Sequence, residues 1–293
     1  MNKLLTIVFN SYFSKHSLEK VLKNLRKYKI IVIENSLDVN LKLKLEKKYK
    51  NVRVVIPKEN LGTSKGFNLG IKLAKTKYVF INNPDIKINN QSIDRLIFCA
   101  EKIEKCTLIA PTYDTETIHK NHSNFAEKIN GNKLLCEKFN ILSVMWIDCN
   151  FLINKKLLNK NFFDENYFLY FETIDFCLNL RRKKKNLLVS KNIKFKHYGS
   201  KSTSVKYKNV VILSRAWHYN WSKFYHYKKN YNYIFALTKI FPNFLKALKK
   251  VVINSFRLNG FNVFVGIIEI YGIFSSVFCL KSFYRPRRTN EKI

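Results

Sequence analysis

The sequence predicts an α/β fold: a mostly parallel, Rossmann-like sheet flanked by helices, followed by a C-terminal helical extension. Three observations predict it. Short apolar runs alternate with helix-period segments through the first hundred residues, each apolar run ends in a polar cluster, and the chain turns aromatic and basic from about residue 206. Strand and helix alternating at this spacing mean βαβ units and a parallel sheet covered on both faces.

Leu4 to Phe9 is a continuous apolar run and reads as the first strand. The following "SKHSLEKVLKNLRK" places Leu18, Val21, Leu22 and Leu25 on one helical face. Ile30 to Ile33 is a second strand ending in "ENSLD", a helical stretch runs through Leu45, and "VRVVI" at 52–56 is a third strand. "NLGTSKGFNLGIKLAK" is a loop entering a helix, with Thr63 or Ser64 able to cap it. Tyr78 to Ile81 is a fourth strand, and "QSIDRLIFCAEKI" is another amphipathic helix. Residues 111–142 are polar and irregular and are expected to include a loop over the site. Strand character returns at 144–153, "FFDENYFLYFETIDFCLNLRRKKK" is a turn leading into a helix that ends in basic residues, and "NLLVS" and "IKFKHYGSKST" read as two further short strands, the second reaching His197. The domain reading is 1–205, with halves at 1–105 and 106–205, and a basic, aromatic region at 206–293.

The net charge of +34 favours anionic partners: nucleic acid, phosphorylated small molecules or an acidic membrane. Joint enrichment in Lys, Asn, Ile and Phe also fits A+T-rich coding DNA, so charge alone names no partner. The six cysteines (Cys99, Cys106, Cys136, Cys149, Cys177, Cys279) form no C-x-x-C pair and are expected to be reduced and mostly buried. Leu4 to Phe9 is too short for the apolar region of a signal peptide, so a cytoplasmic location is expected.

Ligands of open α/β sheets bind beyond the carboxyl ends of the strands. Asn10-Ser11, Glu34-Asn35-Ser36 and Asn83-Pro84-Asp85 each stand at such an end. Proline fixes its own φ and biases the residue before it towards extended geometry, so Asp85 sits on a stiff tip. A rigid carboxylate there suits a hard divalent cation that also touches phosphate oxygens; an ordinary Asn-Pro-Asp turn accounts for the same residues. Gly62, Gly66 and Gly70 match neither the dinucleotide nor the P-loop pattern. They allow close approach to a ligand or close helix packing, and Lys65 beside them can aim at phosphate. Glu172 and Asp175 share a helical face after the aromatic run "YFLYF", which suits a general base or two acids favoured by a helix N-terminus. His197 is a lone histidine at a strand end, structural or a metal ligand.

Together, "FNS" at 9–11, "IENSLD" at 33–38, "ENLGTSKGFNLGI" at 59–71, "NNPD" at 82–85, "FFDENYFLYFETID" at 162–175 and "HYGS" at 197–200 resemble the family-2 inverting glycosyltransferases, nearest to the rhamnosyltransferase-like branch that builds bacterial surface polysaccharides such as lipopolysaccharide. The resemblance covers roughly residues 4–205. It implies a GT-A fold that holds a nucleotide-diphospho-sugar donor over the strand tips, near Asn10, Glu34, Asn35, Gly62, Lys65, Asn68 and Asn83. It further implies a divalent cation, Mn2+ or Mg2+, on Asp85 and His197, and a lipid-linked or glycan acceptor. The family's motif usually reads "FED.D", with the second acid as base. Thr173 stands at that position here, so Glu172 or Asp175 takes the role, with Glu172 favoured, or turnover is much reduced. A lengthened Glu34 replaces the family's usual Asp.

Residues 261–280 are long enough to span a bilayer, but Glu269 and Asn262 interrupt the run. Lys281, Arg285, Arg287 and Arg288 flank it and attract anionic headgroups. An interfacial or docked helix is expected, with the protein peripheral at the inner face of the cytoplasmic membrane. The rival reading from charge and aromatics, nucleic-acid binding, lacks a zinc-finger spacing, an RNP-type motif or a basic arm.

Overall fold

Leu5, Ile7 and Phe9 enter one apolar core and Val8 enters another, so the first strand is covered on both faces. The same period-2 division holds for Ile30 and Val32 against Ile31 and Ile33, and for Tyr78 and Phe80 against Val79 and Ile81. These relations come from a computed structural model that describes residues 2–113, 133–148, 150–159, 162–197 and 207–285.

The chain divides into two units. One comprises Met1–Leu61, Lys65–Phe163 and Thr173–Ser204; the other comprises Gly62–Ser64, Asp164–Glu172 and Val205–Ile293.

In the first unit, β1 (Leu5–Ser11), β2 (Lys29–Glu34), β3 (Val52–Val55) and β4 (Tyr78–Asn82) are mutually parallel in the order β3-β2-β1-β4. The helices between them are α1 (Lys15–Leu22), α2 (Val39–Lys48) and α3 (Gly62–Leu73), whose first three residues group with the other unit. After the short β5 (Ile86–Lys87) and α4 (Asn90–Lys102), the sheet continues through β8 (Phe151–Asn154), β6 (Cys106–Tyr113) and β9 (Asn186–His197) to β5, and β7 (Ile141–Ser143) pairs with β9. β8 is antiparallel to β4 and β6, and β6 is parallel to β9. The remaining helices are α5 (Lys133–Phe139), α6 (Lys155–Leu158) and α7 (Glu172–Arg182). Asp38 and Asn89 cap α2 and α4 by accepting from Leu41 N and Ser92 N at 2.8 and 2.7 Å.

Three expectations from the sequence are corrected. Strand β6 runs to Tyr113, into the stretch read as irregular, while 114–132 lie outside the described residues. The strand expected over 144–153 is confined to Phe151–Asn154. The two strands expected after α7 are one strand, β9, interrupted where its register with β6 jumps from Ser190 to Lys194. The jump is held by Ser190, whose hydroxyl donates to Phe139 O at 2.6 Å and accepts from Ile193 N at 3.2 Å. Among the described cysteines the expectation of reduced, mostly buried thiols holds: Cys99, Cys106 and Cys177 are buried free thiols, Cys136 is half-buried and Cys279 is exposed. Burial pushes the Cys99 and Cys177 thiols up to about 12. Cys149 lies outside the described residues.

The second unit is built on three helices, α8 (Lys208–Asn230), α9 (Tyr233–Phe256) and α10 (Gly260–Val277). Phe224, Ala236, Ile240 and Ile273 form one of its apolar clusters; Trp217, Trp221 and Ile268 form another. Two glycines let α10 approach its neighbours closely. A Cβ on Gly266 would lie 2.7 Å from Val251 Cγ2 on α9, and one on Gly272 would lie 2.5 Å from Trp217 O on α8. Glu269, which interrupts the apolar run, pairs with Lys250 of α9 at 2.5 Å. By length and composition α10 could cross a membrane, but in the fold it is the third member of this bundle. Arg287 and Arg288 lie outside the described residues.

Candidate active site

Parallel pairing aligns the polar strand ends. Ser11 stands opposite Glu34, and Phe9 stands opposite Asn82. The Ser11 hydroxyl donates to Glu34 Oε2 at 2.6 Å, while Glu34 Oε1 accepts from the Ser36 amide at 2.9 Å and from the Ser36 hydroxyl. Glu34 is therefore fully buried with both oxygens engaged. Burial pushes its carboxyl above the ordinary range, against the bonds from Ser11 and Ser36. Its length is explained locally, since it bridges the β1 tip and the turn after β2.

Asn35 joins a third element to these tips. Its Nδ2 donates to Asn10 Oδ1, and its Oδ1 accepts from Leu61 N at 2.9 Å, just ahead of α3. Asn10 in turn lies over α3, where a Cβ on Gly66 would come within 2.5 Å of Asn10 Oδ1. One turn on, a Cβ on Gly70 would come within 2.2 Å of Val8 Cγ1, so the glycine spacing includes close packing on β1. Asn68 also has a packing role: its amide donates to Phe163 O at 2.9 Å and accepts from Phe163 N at 3.0 Å. Lys65, on the first turn of α3, is exposed.

The α3 start differs from the expected cap. Leu61 is the N-cap residue and makes no side-chain bond. The Thr63 amide is satisfied by Phe168 O at 2.7 Å instead, and Gly62 has the left-handed φ of 68° that brings this about. A Cβ there would stand 2.3 Å from the same carbonyl oxygen.

At the β4 end, Asn82 folds the tip back on itself, donating to Asn83 O at 2.8 Å and Ile86 O at 3.3 Å. Asp85 is buried at the wall of an open cleft of about 690 Å³ that His16, Ser17, Lys20, Asn24 and Lys87 also line. His16 and Lys20, one turn apart on α1, are residues that the sequence reading missed. Their signal was the polar face opposite Leu18 and Leu22. The antiparallel ladder sets the His197 main chain opposite Ile86, next to Asp85 in sequence. The His197 side chain and residues 198–200 lie outside the described residues. Among the described residues no three His, Cys, Asp or Glu side chains gather. A carboxylate on an open cleft beyond a strand end nevertheless suits an oxygen-seeking cation whose other ligands come from phosphate.

Glu172, Thr173 and Asp175 are buried in the first turn of α7. The segment before them belongs with the three-helix unit. Tyr170 and Phe171 are consecutive left-handed residues, with φ of 70° and 63°, a conformation that costs non-glycine residues about 1–3 kcal/mol each and persists only where packing holds it. One face of α8 does so. Tyr219 meets both rings at 5.6 and 5.7 Å, the Ser222 hydroxyl donates to Leu169 O at 2.8 Å, and His226 packs on Phe171 at 5.3 Å. Phe168 stacks on His218 at 4.4 Å, with the Arg285 guanidinium 3.4 Å from its ring centre. Burial and Arg285 hold His218 down at about 3, despite the Tyr284 carbonyl, so it is neutral. Asp164 accepts from Lys229 at 2.8 Å and from Tyr225 at 3.0 Å. Burial opposes its ionisation, but the bonds from Lys229 and Asn166 win and hold the carboxyl below its usual range. Sequence reasoning missed this role for Tyr219, Ser222 and His226, although their three-and-four spacing marks one helical face.

Residues 4–162 match the sequence family described as Glycosyl transferase family 2. No curated protein matches the chain. Among solved structures it is similar to the mannosyltransferase PcManGT from Pyrobaculum calidifontis in complex with GDP-Man and Mn2+, with a TM-score of 0.55 and 9% identity over 94% of this chain and 87% of that one. It is also similar to residues 1–349 of TarS from S. aureus, with a TM-score of 0.51 and 14% identity over 94% and 90% of the two chains. A third likeness is to GalNAc-T7 with UDP, GalNAc and Mn2+: TM-score 0.52, 15% identity, 78% of this chain and 51% of that one.

Proposed function

The chain belongs to glycosyl transferase family 2 and has the GT-A fold, and from that premise we propose that it moves a sugar from a nucleotide-diphospho-sugar to an acceptor hydroxyl with inversion. The observation that carries the reading is Asp85, a buried carboxylate on an open cleft beyond the aligned strand ends. The similar mannosyltransferase is in complex with GDP-Man and Mn2+, and GalNAc-T7 is with UDP, GalNAc and Mn2+, which supports both a donor and a divalent cation for this chain.

Asp85 and His197 would hold the cation, which when bound supplies positive charge to the diphosphate. Lys65, exposed on the first turn of α3, adds a protein cation for the same charge. Glu172 or Asp175 takes the acceptor hydroxyl's proton. The acceptor oxygen then forms its bond to the anomeric carbon as the bond from that carbon to the diphosphate oxygen breaks, and the nucleoside diphosphate leaves with the electron pair. The acceptor class proposed is a lipid-linked or polysaccharide glycan of the bacterial surface, with rhamnose as the donor sugar. Such an acceptor fits a peripheral place at the inner face of the cytoplasmic membrane. Against nucleic acid, Trp217, Trp221 and Phe224 of the aromatic, basic segment are buried within the helical bundle. Thr173 supports a second reading, a donor-binding protein with impaired turnover.

The test is incubation of purified protein with UDP-, GDP- and dTDP-sugars, with Mn2+ and with membrane lipids. Release of nucleoside diphosphate with one donor is expected. No transfer or hydrolysis with any donor would overturn the enzymatic reading; donor binding alone would leave the second.

A further inference from the structure

We propose that the α9–α10 hairpin is a docking surface for an anionic lipid bilayer, in which both helices and the turn between them enter the headgroup region. The inference gives the membrane placement proposed above a defined surface. It is tested without donor or acceptor, so its failure and that of sugar transfer are separate.

The first observation is a pair of exposed apolar stripes. On α9, Ile234, Leu237, Phe241, Leu245, Leu248, Val252 and Phe256 are all exposed, and they recur in steps of three and four, so they form one face along the helix. On α10, Phe264, Ile267, Tyr271, Phe274 and Phe278 repeat the pattern. The stripes adjoin, because Phe274 meets Phe244 at the border of the α9 stripe, with ring centres 5.8 Å apart. The opposite sides of both helices are used in the bundle, through Ala236, Ile240 and Ala247 on α9 and through Gly266 and Gly272 on α10. The exposed aromatics are therefore not core residues that a small shift would cover. A sustained apolar plate of this kind on a protein surface marks an interaction site.

The second observation is the turn. Phe256 and Leu258 are 86% and 92% exposed, more than any other large apolar side chain among the described residues. Arg257 stands between them, and Leu258 has a left-handed φ of 54°. Two apolar side chains thus project from the end of the hairpin beside a cation, a pattern suited to the boundary between acyl chains and headgroups.

Charge selects the occupant. Lys246 and Lys249 are exposed on α9, and Lys281 follows α10. Glu269 is the only acidic residue in the sequence between positions 207 and 285, and it is held by Lys250. A second copy would bring the same basic border against this one, and like charges facing each other disfavour that pairing. An anionic headgroup layer complements the border, while its acyl region takes the stripe.

Flotation of the full chain with phosphatidylglycerol or phosphatidylcholine vesicles tests the proposal. Binding to the anionic vesicles that persists in part at high salt is expected, with weaker binding to the zwitterionic ones. Phe256→Asp/Leu258→Asp and Phe241→Ser/Leu245→Ser change only exposed positions. Each should keep its melting temperature and weaken vesicle binding at least tenfold, while Lys246→Glu/Lys249→Glu should remove the preference for anionic lipid. The proposal is overturned if the wild type does not float with either vesicle, or if both apolar double variants bind as it does. It is also overturned if sedimentation shows a dimer that those variants dissociate, which would assign the plate to a second copy.

Discussion

The Ser222 hydroxyl reaches the main-chain carbonyl of Leu169 at 2.8 Å, and the two residues after Leu169 are both left-handed. A side chain on α8 thus anchors the strained step that leads into Glu172. A single neutral hydrogen bond contributes about 0.5–1.5 kcal/mol, comparable to the strain of one such residue. Ser222→Ala should lower kcat by about three- to tenfold through misplacement of the α7 start, and Ser222→Thr should restore it. A melting temperature that falls with no change in kcat would make the bond purely structural.

Glu172 is the expected base. Its loss should remove most of the contribution of proton transfer, about 10²–10⁴-fold in rate, so Glu172→Gln should lower kcat on that scale while leaving donor affinity unchanged. Asp175→Asn should have the smaller effect. Thr173→Asp restores the acid usual in the resembling family and should raise turnover. If kcat responds to Asp175→Asn and not to Glu172→Gln, the assignment of the two is reversed.

Asp85 is expected to bind the cation directly. Even outer-shell partners of a metal are worth about 10–100-fold in affinity, so Asp85→Asn should weaken Mn2+-dependent nucleotide binding by at least tenfold. Nucleotide binding without metal should change little. Calorimetric titration of UDP and GDP with and without Mn2+ separates these, and an unchanged metal dependence would leave Asp85 as a turn residue.

The parallel half of the sheet was legible because buried parallel strands are continuous apolar runs, and Leu5–Ser11, Lys29–Glu34 and Tyr78–Asn82 are such runs in regular alternation with helices. The strand-tip clusters were legible for the same reason, since topology alone puts Ser11 beside Glu34. What each polar side chain does there was not. Asn68 and Asn35 bond to main-chain groups far away in sequence, and local pattern carries no record of such partners. The β9 bulge was hidden because Ser190 to Ile193 resembles an ordinary break between strands. The α9 stripe was overlooked because that helix has apolar residues on its buried and exposed sides alike, and sequence does not reveal which side is covered.

Asp164 gives a pH dependence of definite sign. Its folded carboxyl lies below the ordinary value, so the group adds stability above its unfolded pKa, and that contribution fades as the pH falls through the folded one. Bonds to a charged group are worth about 1.5–3 kcal/mol, but with Lys229 35% and Asp164 17% exposed solvent screening reduces this to about 1 kcal/mol. Asp164→Asn should therefore be less stable than wild type by that amount in denaturant unfolding at neutral pH, with the gap closing below about pH 4. A gap independent of pH would mean that the Tyr225 hydroxyl and the Asn166 amide, and not the charge on Lys229, hold the segment.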